Sequence, residues 1–277
     1  MKTFFRISFF KLKKTIFLTF FITAALSATA QKKLPDFKKV IISDGATVRI
    51  FHAEKNSAVF DGNNASVKLK KGVLKVSSFQ RIQMDTEGRT VKKETGKPQE
   101  ISLYLNSKIE NLTATDSSTV YFDGKFQAER IILNIEKNSV LKGTINAQAF
   151  GLNVKSKAES CLKGKFRTVK ITADSAKTEF EDFQAANTSL TVSGGSIVSA
   201  EGKTEKLNLK ISGLSRFEAL RLTTKNSEAA VSGNSDVFFN VSGTLKINIS
   251  ERSHVVLTGR PVILEEKTEK GCKFSKR

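Results

Sequence analysis

Two histidines, two cysteines and a scatter of carboxylates are the side chains of this 277-residue chain with the widest chemical reach. Their spacing gives them no shared task. His52 and His254 lie far apart in sequence, and neither belongs to a His-x-x-x-His pair or to a cysteine cluster with zinc spacing. Each reads as a structural or exposed histidine. Nucleophilic serine chemistry needs an oriented base, and the recurring serines have none nearby in sequence. Asp116, Asp123, Asp174, Asp182 and Asp236 carry oxygens of the kind calcium takes. Calcium needs several of them converging on one ion, whereas these form no repeated acidic loop and suit turns and corners. The sequence nominates no catalytic, cofactor-binding or metal-binding residue and implies no cofactor.

The serines are periodic instead. A small polar residue follows an apolar one by four positions in Ala114–Ser118, Ile135–Ser139, Ile171–Ser175, Val192–Ser196, Ile211–Ser215, Val231–Ser235 and Ile249–Ser253, with Val154 in the remaining place. The apolar members step by 17 to 21 residues, a soft period that marks a solenoid. Gly124, Gly143, Gly164, Gly202 and Gly259 lie a few residues beyond a mark, where a corner can turn. Between landmarks, runs such as Leu207-Asn-Leu-Lys-Ile211 alternate apolar and polar, the pattern of half-buried strands. An antiparallel sandwich also has many short strands broken by turns, but nothing in it returns one landmark to one phase. A parallel β-helix does, because each coil lays its equivalent residues ~4.8 Å above the last. The predicted fold is therefore all-β, a single-stranded parallel β-helix (β-solenoid) with ~20 residues per coil, its eight units making a rod of roughly 35 to 40 Å.

Residues 1–30 read as a signal peptide. Lys2, Arg6, Lys11, Lys13 and Lys14 form a basic leader, Ile16 to Leu26 is an apolar run, and Ala28-Thr-Ala30 ends it before Gln31. The run is well short of the ~20 residues that span a bilayer, and no cysteine follows the cleavage site to carry a lipid. No transmembrane segment is expected in the mature chain, and its address is periplasmic, outer-membrane-associated or extracellular. Residues 31–105 read as an N-terminal cap and first coils, with the polar insert Gln83 to Glu100 as a hairpin or loop. Residues 106–264 are the regular coils, one continuous domain with 31–105, and 265–277 is a charged C-terminal tail expected to fray. Cys161 is expected to face the core. Cys272 follows some five coils later, about 24 Å away at ~4.8 Å each, beyond the ~7 Å that a disulfide allows between Cα atoms.

Lysine and arginine number 46 against 27 acidic residues, a net charge of +19. Such a surface can attract nucleic acid or anionic membrane, but export removes nucleic acid as a partner. Lys155, Lys170, Lys210 and Lys246 stand on the outward phase of the alternation, as solvated strand faces and protected edges require. Weak attraction to acidic envelope polymers or polysaccharide is the functional alternative. A polysaccharide-cleaving β-helix needs clustered carboxylates or calcium ligands and commonly aromatic platforms. This chain has no tryptophan and two tyrosines, Tyr104 and Tyr121, and Phe126, Phe166 and Phe217 fall in repeat positions expected to fill the core.

The runs Val192-Ser-Gly-Gly-Ser196, Ile211-Ser-Gly-Leu-Ser215 and Val231-Ser-Gly-Asn-Ser235 carry a further signal, together with the opening Phe37-Lys-Lys-Val-Ile-Ile-Ser43 and the closing Val256-Leu-Thr-Gly-Arg-Pro261. From roughly Phe37 to Pro261 the chain resembles the putative auto-transporter adhesin, head GIN domain family (DUF2807) common in Bacteroidota. The cleavage site before Gln31 is similar to that of exported proteins of the phylum. The resemblance implies a right-handed parallel β-helix, an envelope or surface address, and no established catalytic residues. Ile135-Glu-Lys-Asn-Ser139 and Val154-Lys-Ser-Lys157 depart from the Ser-Gly step, and no membrane barrel follows the helix, so self-transport is not expected. The function this implies is a noncatalytic exported envelope or cell-surface adhesin or scaffold acting by multivalent contacts along its faces. Its partner is an unknown envelope, matrix or glycan component, and its oligomeric state is open. A polysaccharide-cleaving or polysaccharide-binding β-helix and a periplasmic structural or transport-associated protein are the alternatives.

Overall fold

A computed structural model describes residues 30–60, 65–78, 81–84, 90–94 and 100–277. The signal peptide predicted for 1–30 lies outside these residues but for Ala30. Alternating burial fixes the cross-section. Within the strand Thr119–Ile135 the buried residues are Val120 and Phe122, then Phe126, then Ile131, Leu133 and Ile135. Each break in the alternation is a corner, so one coil contributes three short runs to three faces, and a turn at 136–139 closes it. The next strand, Val140–Lys155, repeats the pattern in parallel register, with Val120 opposite Leu141, Phe126 opposite Ile145 and Leu133 opposite Leu152.

Inward side chains consequently stand in columns. On the first face one column runs Ile101, Val48, Val120, Leu141, Ser160, Thr178, Val198, Phe217, Val237, Val255 and Phe274. On the third face Leu74, Val40, Leu112, Leu133, Leu152, Ile171, Leu190, Leu209, Ala229 and Ile247 do the same. Each fully buried Val, Leu, Ile or Phe contributes about 1.5–3 kcal/mol. This is the parallel β-solenoid that the serine period predicts. Ten steps of ~4.8 Å make the stack roughly 48 Å long, longer than eight serine units suggest.

The serine marks occupy the corner between the third face and the first. Ser118, Ser139, Ser196, Ser215, Ser235 and Ser253 are all buried. The hydroxyls of Ser118, Ser196, Ser215 and Ser235 each donate to the carbonyl three residues back, at 2.6 Å. Several also accept from the preceding coil: Ser139 Oγ from the Ser118 N–H at 3.1 Å, and Ser196 Oγ from the Ala176 N–H at 3.1 Å. One hydroxyl thus ties a turn to its neighbour. The turn itself runs through two left-handed residues, as at Lys137-Asn138, Ser156-Lys157, Gly213-Leu214 and Glu251-Arg252, the signature of a type I′ turn. The expected unit Ile171–Ser175 is displaced. Its turn is tighter, with Ser175 exposed at φ 52°, so Ala176 takes the buried corner and Ala173, not Ile171, lies opposite Val192.

The corner between the first and second faces follows another rule. Register shifts recur there, between Phe122 and Lys125, Phe180 and Phe183, and Ser199 and Gly202, and such bulges bend the strand. Adjacent backbones come close. A Cβ on Gly164 would overlap the Ile145 carbonyl oxygen, and one on Gly202, at φ +131°, would overlap that of Phe183.

The two ends close differently. Lys39–Ser43 and Thr47–His52 form a coil, but Val73–Ser78 and Glu100–Leu105 pair on its outer side while Asn111–Ala114 and Thr119–Ile135 pair on its inner side. Val73–Ser78 and Glu100–Leu105 therefore make the end of the rod. Antiparallel strands finish it: Ala65–Lys70 on Val73–Ser78, Ser57–Phe60 on Glu100–Leu105, and Ala30–Lys33 on Ser57–Phe60. A separate antiparallel pair, Arg81–Met84 with Thr90–Glu94, overlaps the polar insert.

At the other end, the 265–277 stretch does not fray as its charge suggests. Val262–Thr268 pairs with Thr244–Ile249, and Lys273–Lys276 with His254–Leu257, completing one more coil. The ladder continues because charges replace the apolar residues only in the terminal rung. Glu266 lies opposite Ile247 and Lys276 opposite Leu257, and Lys276 Nζ bonds Glu266 Oε2 at 3.0 Å. Among the described residues no helix is long and apolar enough to cross a membrane.

Candidate functional site

Register decides which outward side chains become neighbours, and of the histidines and aspartates singled out in the sequence it brings His254 and Asp236 together. His52 is exposed and meets the edge of the Phe126 ring at 5.4 Å. His254 faces outward on the first face, its Nδ1 3.5 Å from Asp236 Oδ1. Asp116 pairs with Lys137 at 3.0 Å, Asp123 with Arg49 at 2.9 Å, and Asp174 accepts from the Ser193 hydroxyl at 3.3 Å. Asp182, at φ 52°, turns the corner between the first and second faces. Among the described residues no three His, Cys, Asp or Glu side chains gather as a metal site.

Both cysteines are free. Cys161 corrects an expectation: it faces outward, between Lys142 and Glu179 in register, while Ser160 beside it is buried. Ala158 holds the corner in this coil, and counting inward and outward from it puts Ser160 inside. Burial first, and then the carboxylates of Glu181 and Glu179, raise the Cys161 thiol above its usual pKa. That makes it a poorer nucleophile at neutral pH. Phe126, Phe166 and Phe217 do fill the core.

The first face carries a cluster that sequence reasoning missed. Arg49 pairs with Asp123 and with Glu100 and lies 5.4 Å from the centre of the Tyr121 ring. Next to it the Phe51 and Tyr104 rings stack at 5.1 Å with planes 18° apart. Near the far end Arg216 lies 5.2 Å from the Phe238 ring centre, and His254 meets the same ring edge-on at 6.0 Å. The signal available was alternation, which puts Arg49 and Phe51 on one face. It could not say that Tyr104 and Tyr121 flank them, because that depends on Glu100–Leu105 and Thr119–Ile135 pairing on opposite sides of Thr47–His52.

The third face is different in kind. Three consecutive rungs, at 168–172, 187–191 and 206–210, present outward only threonine, asparagine, serine and lysine. A groove of about 450 Å³ runs across them, lined among others by Thr168, Asn187, Ser189, Lys206, Asn208 and Lys246. Ser227 also lines it, and its buried hydroxyl has no hydrogen-bond partner. Neighbouring rungs continue the polar files, with Asn153 donating to Asn134 at 2.8 Å and Thr244 Oγ1 donating to Asn226 Oδ1 at 2.8 Å.

Solved structures share this architecture. A putative lipid binding protein from Parabacteroides distasonis ATCC 8503 aligns over 90% of this chain and 96% of its own, with a TM-score of 0.60 at 15% identity. A putative adhesin from Parabacteroides merdae ATCC 43184 aligns over 90% and 95%, with a TM-score of 0.59 at 14% identity. A second putative adhesin from P. distasonis ATCC 8503 aligns over 90% and 96%, with a TM-score of 0.61 at 12% identity. At such identities the likeness is one of fold. No curated protein matches the chain significantly. The family model described as "Putative auto-transporter adhesin, head GIN domain" matches residues 36–200 and 182–261, and the chain belongs to that family.

Proposed function

We propose that this protein is a noncatalytic adhesin or scaffold of the cell envelope or cell surface, exported by its signal peptide and acting through many weak contacts along its faces. The observation that carries this reading is the filing of outward side chains, one per coil, on a stack whose family is described as adhesins. A partner that repeats along its own length engages successive rungs, and each contact raises the effective concentration for the next. The chemistry of the faces supports binding over turnover, since His254 and Asp236 meet as a pair on the first face and, among the described residues, no third His, Cys, Asp or Glu gathers with them as a metal site.

Cell fractionation tests the address, and the chain is expected in the envelope or the medium. Recovery with cytoplasmic proteins would overturn it. Binding of the purified chain to isolated envelope glycans and to host matrix proteins tests adhesion. Retention on either supports it, and passage through both without retention removes it. Incubation with acidic polysaccharides is expected to leave their length unchanged, whereas release of shorter or unsaturated products would replace this reading with an enzymatic one.

A further inference from the structure

We infer that the third face is the contact surface, and that the partner it fits is an acidic polysaccharide lying along the rungs. The inference rests on the adhesin reading and specifies it. Charge segregates between faces in a way that composition conceals. From the coil of Thr119–Ile135 to that of Asp236–Ile249, the outward places of the third face hold the cations Arg130, Lys170, Lys206, Lys210 and Lys246 against Glu228, with Lys155 opposite Asp174 at the margin beside the serine corner. No ion pair among the described residues engages any of these five cations. The outward places of the first face in the same coils hold Lys142, Lys163, Lys177 and Arg216 against Asp123, Glu159, Glu179, Glu181, Glu201, Glu218 and Asp236, an acidic set.

Geometry selects the polymer. Lys170 and Lys246 lie in one file, separated by Ser189, Asn208 and Glu228, so their rungs are about 19 Å apart at ~4.8 Å per step. Lys206 and Lys210 stand on the rung midway, in the files to either side. Apart from Glu228, the spaces between are filled by amide and hydroxyl groups, which pair with sugar hydroxyls as donors and acceptors. A membrane-binding face needs apolar side chains to enter the acyl boundary, and a single-strand nucleic-acid face needs aromatic platforms for bases. The rungs from 168 to 210 present neither outward.

The test uses the full chain and polygalacturonate as the probe, with dextran as the uncharged control and vesicles containing phosphatidylserine as the membrane control. Binding to polygalacturonate is expected, falling steeply with salt, with no retention on dextran. The triple variant K170Q/K206Q/K210Q is expected to weaken binding by about tenfold or more, since exposed charge contacts contribute up to about 1 kcal/mol each. The first-face triple K142Q/K177Q/R216Q is expected to leave it unchanged. A single reversal, T191E, adds a repelling charge amid the same lysines and is expected to weaken binding at unchanged melting temperature. Equal loss in both triples, or tighter binding to the vesicles than to the polymer, would overturn the assignment. If envelope material still binds while the third-face triple has no effect, this inference fails and the adhesin reading stands. If nothing binds, both fail.

Discussion

The two corners that flank the first face turn the same chain by opposite means. At the serine corner, both central residues of the turn are left-handed, yet lysine, asparagine, serine, glutamate, arginine and leucine all occupy them. Their side chains project to solvent, so each costs only the intrinsic ~1–2 kcal/mol of that conformation, offset by the hydroxyl ties and inter-coil backbone bonds beneath. At the corner between the first and second faces the limit is set by a neighbour. The carbonyl oxygens of Ile145 and Phe183 occupy the space a side chain would take on Gly164 and Gly202. One corner is thus limited by local conformation and the other by the distance between coils.

Substitutions can break this contrast, and urea midpoints can measure it. The largest effect is expected for Gly202→Ala, where positive φ and carbonyl overlap combine, with a loss above about 3 kcal/mol. Gly164→Ala meets overlap without the φ penalty and is expected to lose somewhat less. If both behave like surface changes, within about 0.5 kcal/mol, close approach is not what shapes this corner. Removing the serine ties is expected to cost less. Ser196→Ala strands the Ala176 N–H and is expected to cost about 1–3 kcal/mol, whereas Ser215→Ala deletes the bond to the Ser212 carbonyl and is expected to cost about 1 kcal/mol. Equal losses would mean that the link between coils contributes nothing beyond the link within the turn. The smallest effect has the opposite sign. Leu214, at φ 61° and 72% exposed, is expected to gain about 0.5–1 kcal/mol on replacement by glycine. A net loss there would show that the Leu214 side chain supports the turn.

The repeating unit was legible because burial has period two along a rung and the serine returns at the same phase in most coils. Legibility fails where one coil departs from its neighbours. Ser175 follows an apolar residue at the expected interval, but a turn one residue tighter moves the buried place to Ala176. Cys161 goes wrong for a related reason, since Ala158 holds the corner and leaves no serine from which to count. The last coil hides behind its charges: Glu266 and Lys276 occupy inward positions that alternation would assign to apolar residues. The polar third face was half visible, because outward lysines can be read from alternation. Its lack of carboxylates over three rungs required knowing which segments lie side by side. The Arg49, Phe51, Tyr104 and Tyr121 cluster was invisible, because no local rule predicts that a chain will wind outward before it winds inward.

A stack built by translation carries no intrinsic length, since every rung offers the next the same template. Here the rung formed by Val262–Thr268 and Lys273–Lys276 alters that template. The Glu266–Lys276 contact sits where another molecule would have to continue the apolar columns, and covering it would strip water from two charges at a cost of several kcal/mol per ion. Covering of this rung and contact along the faces therefore draw on different residues.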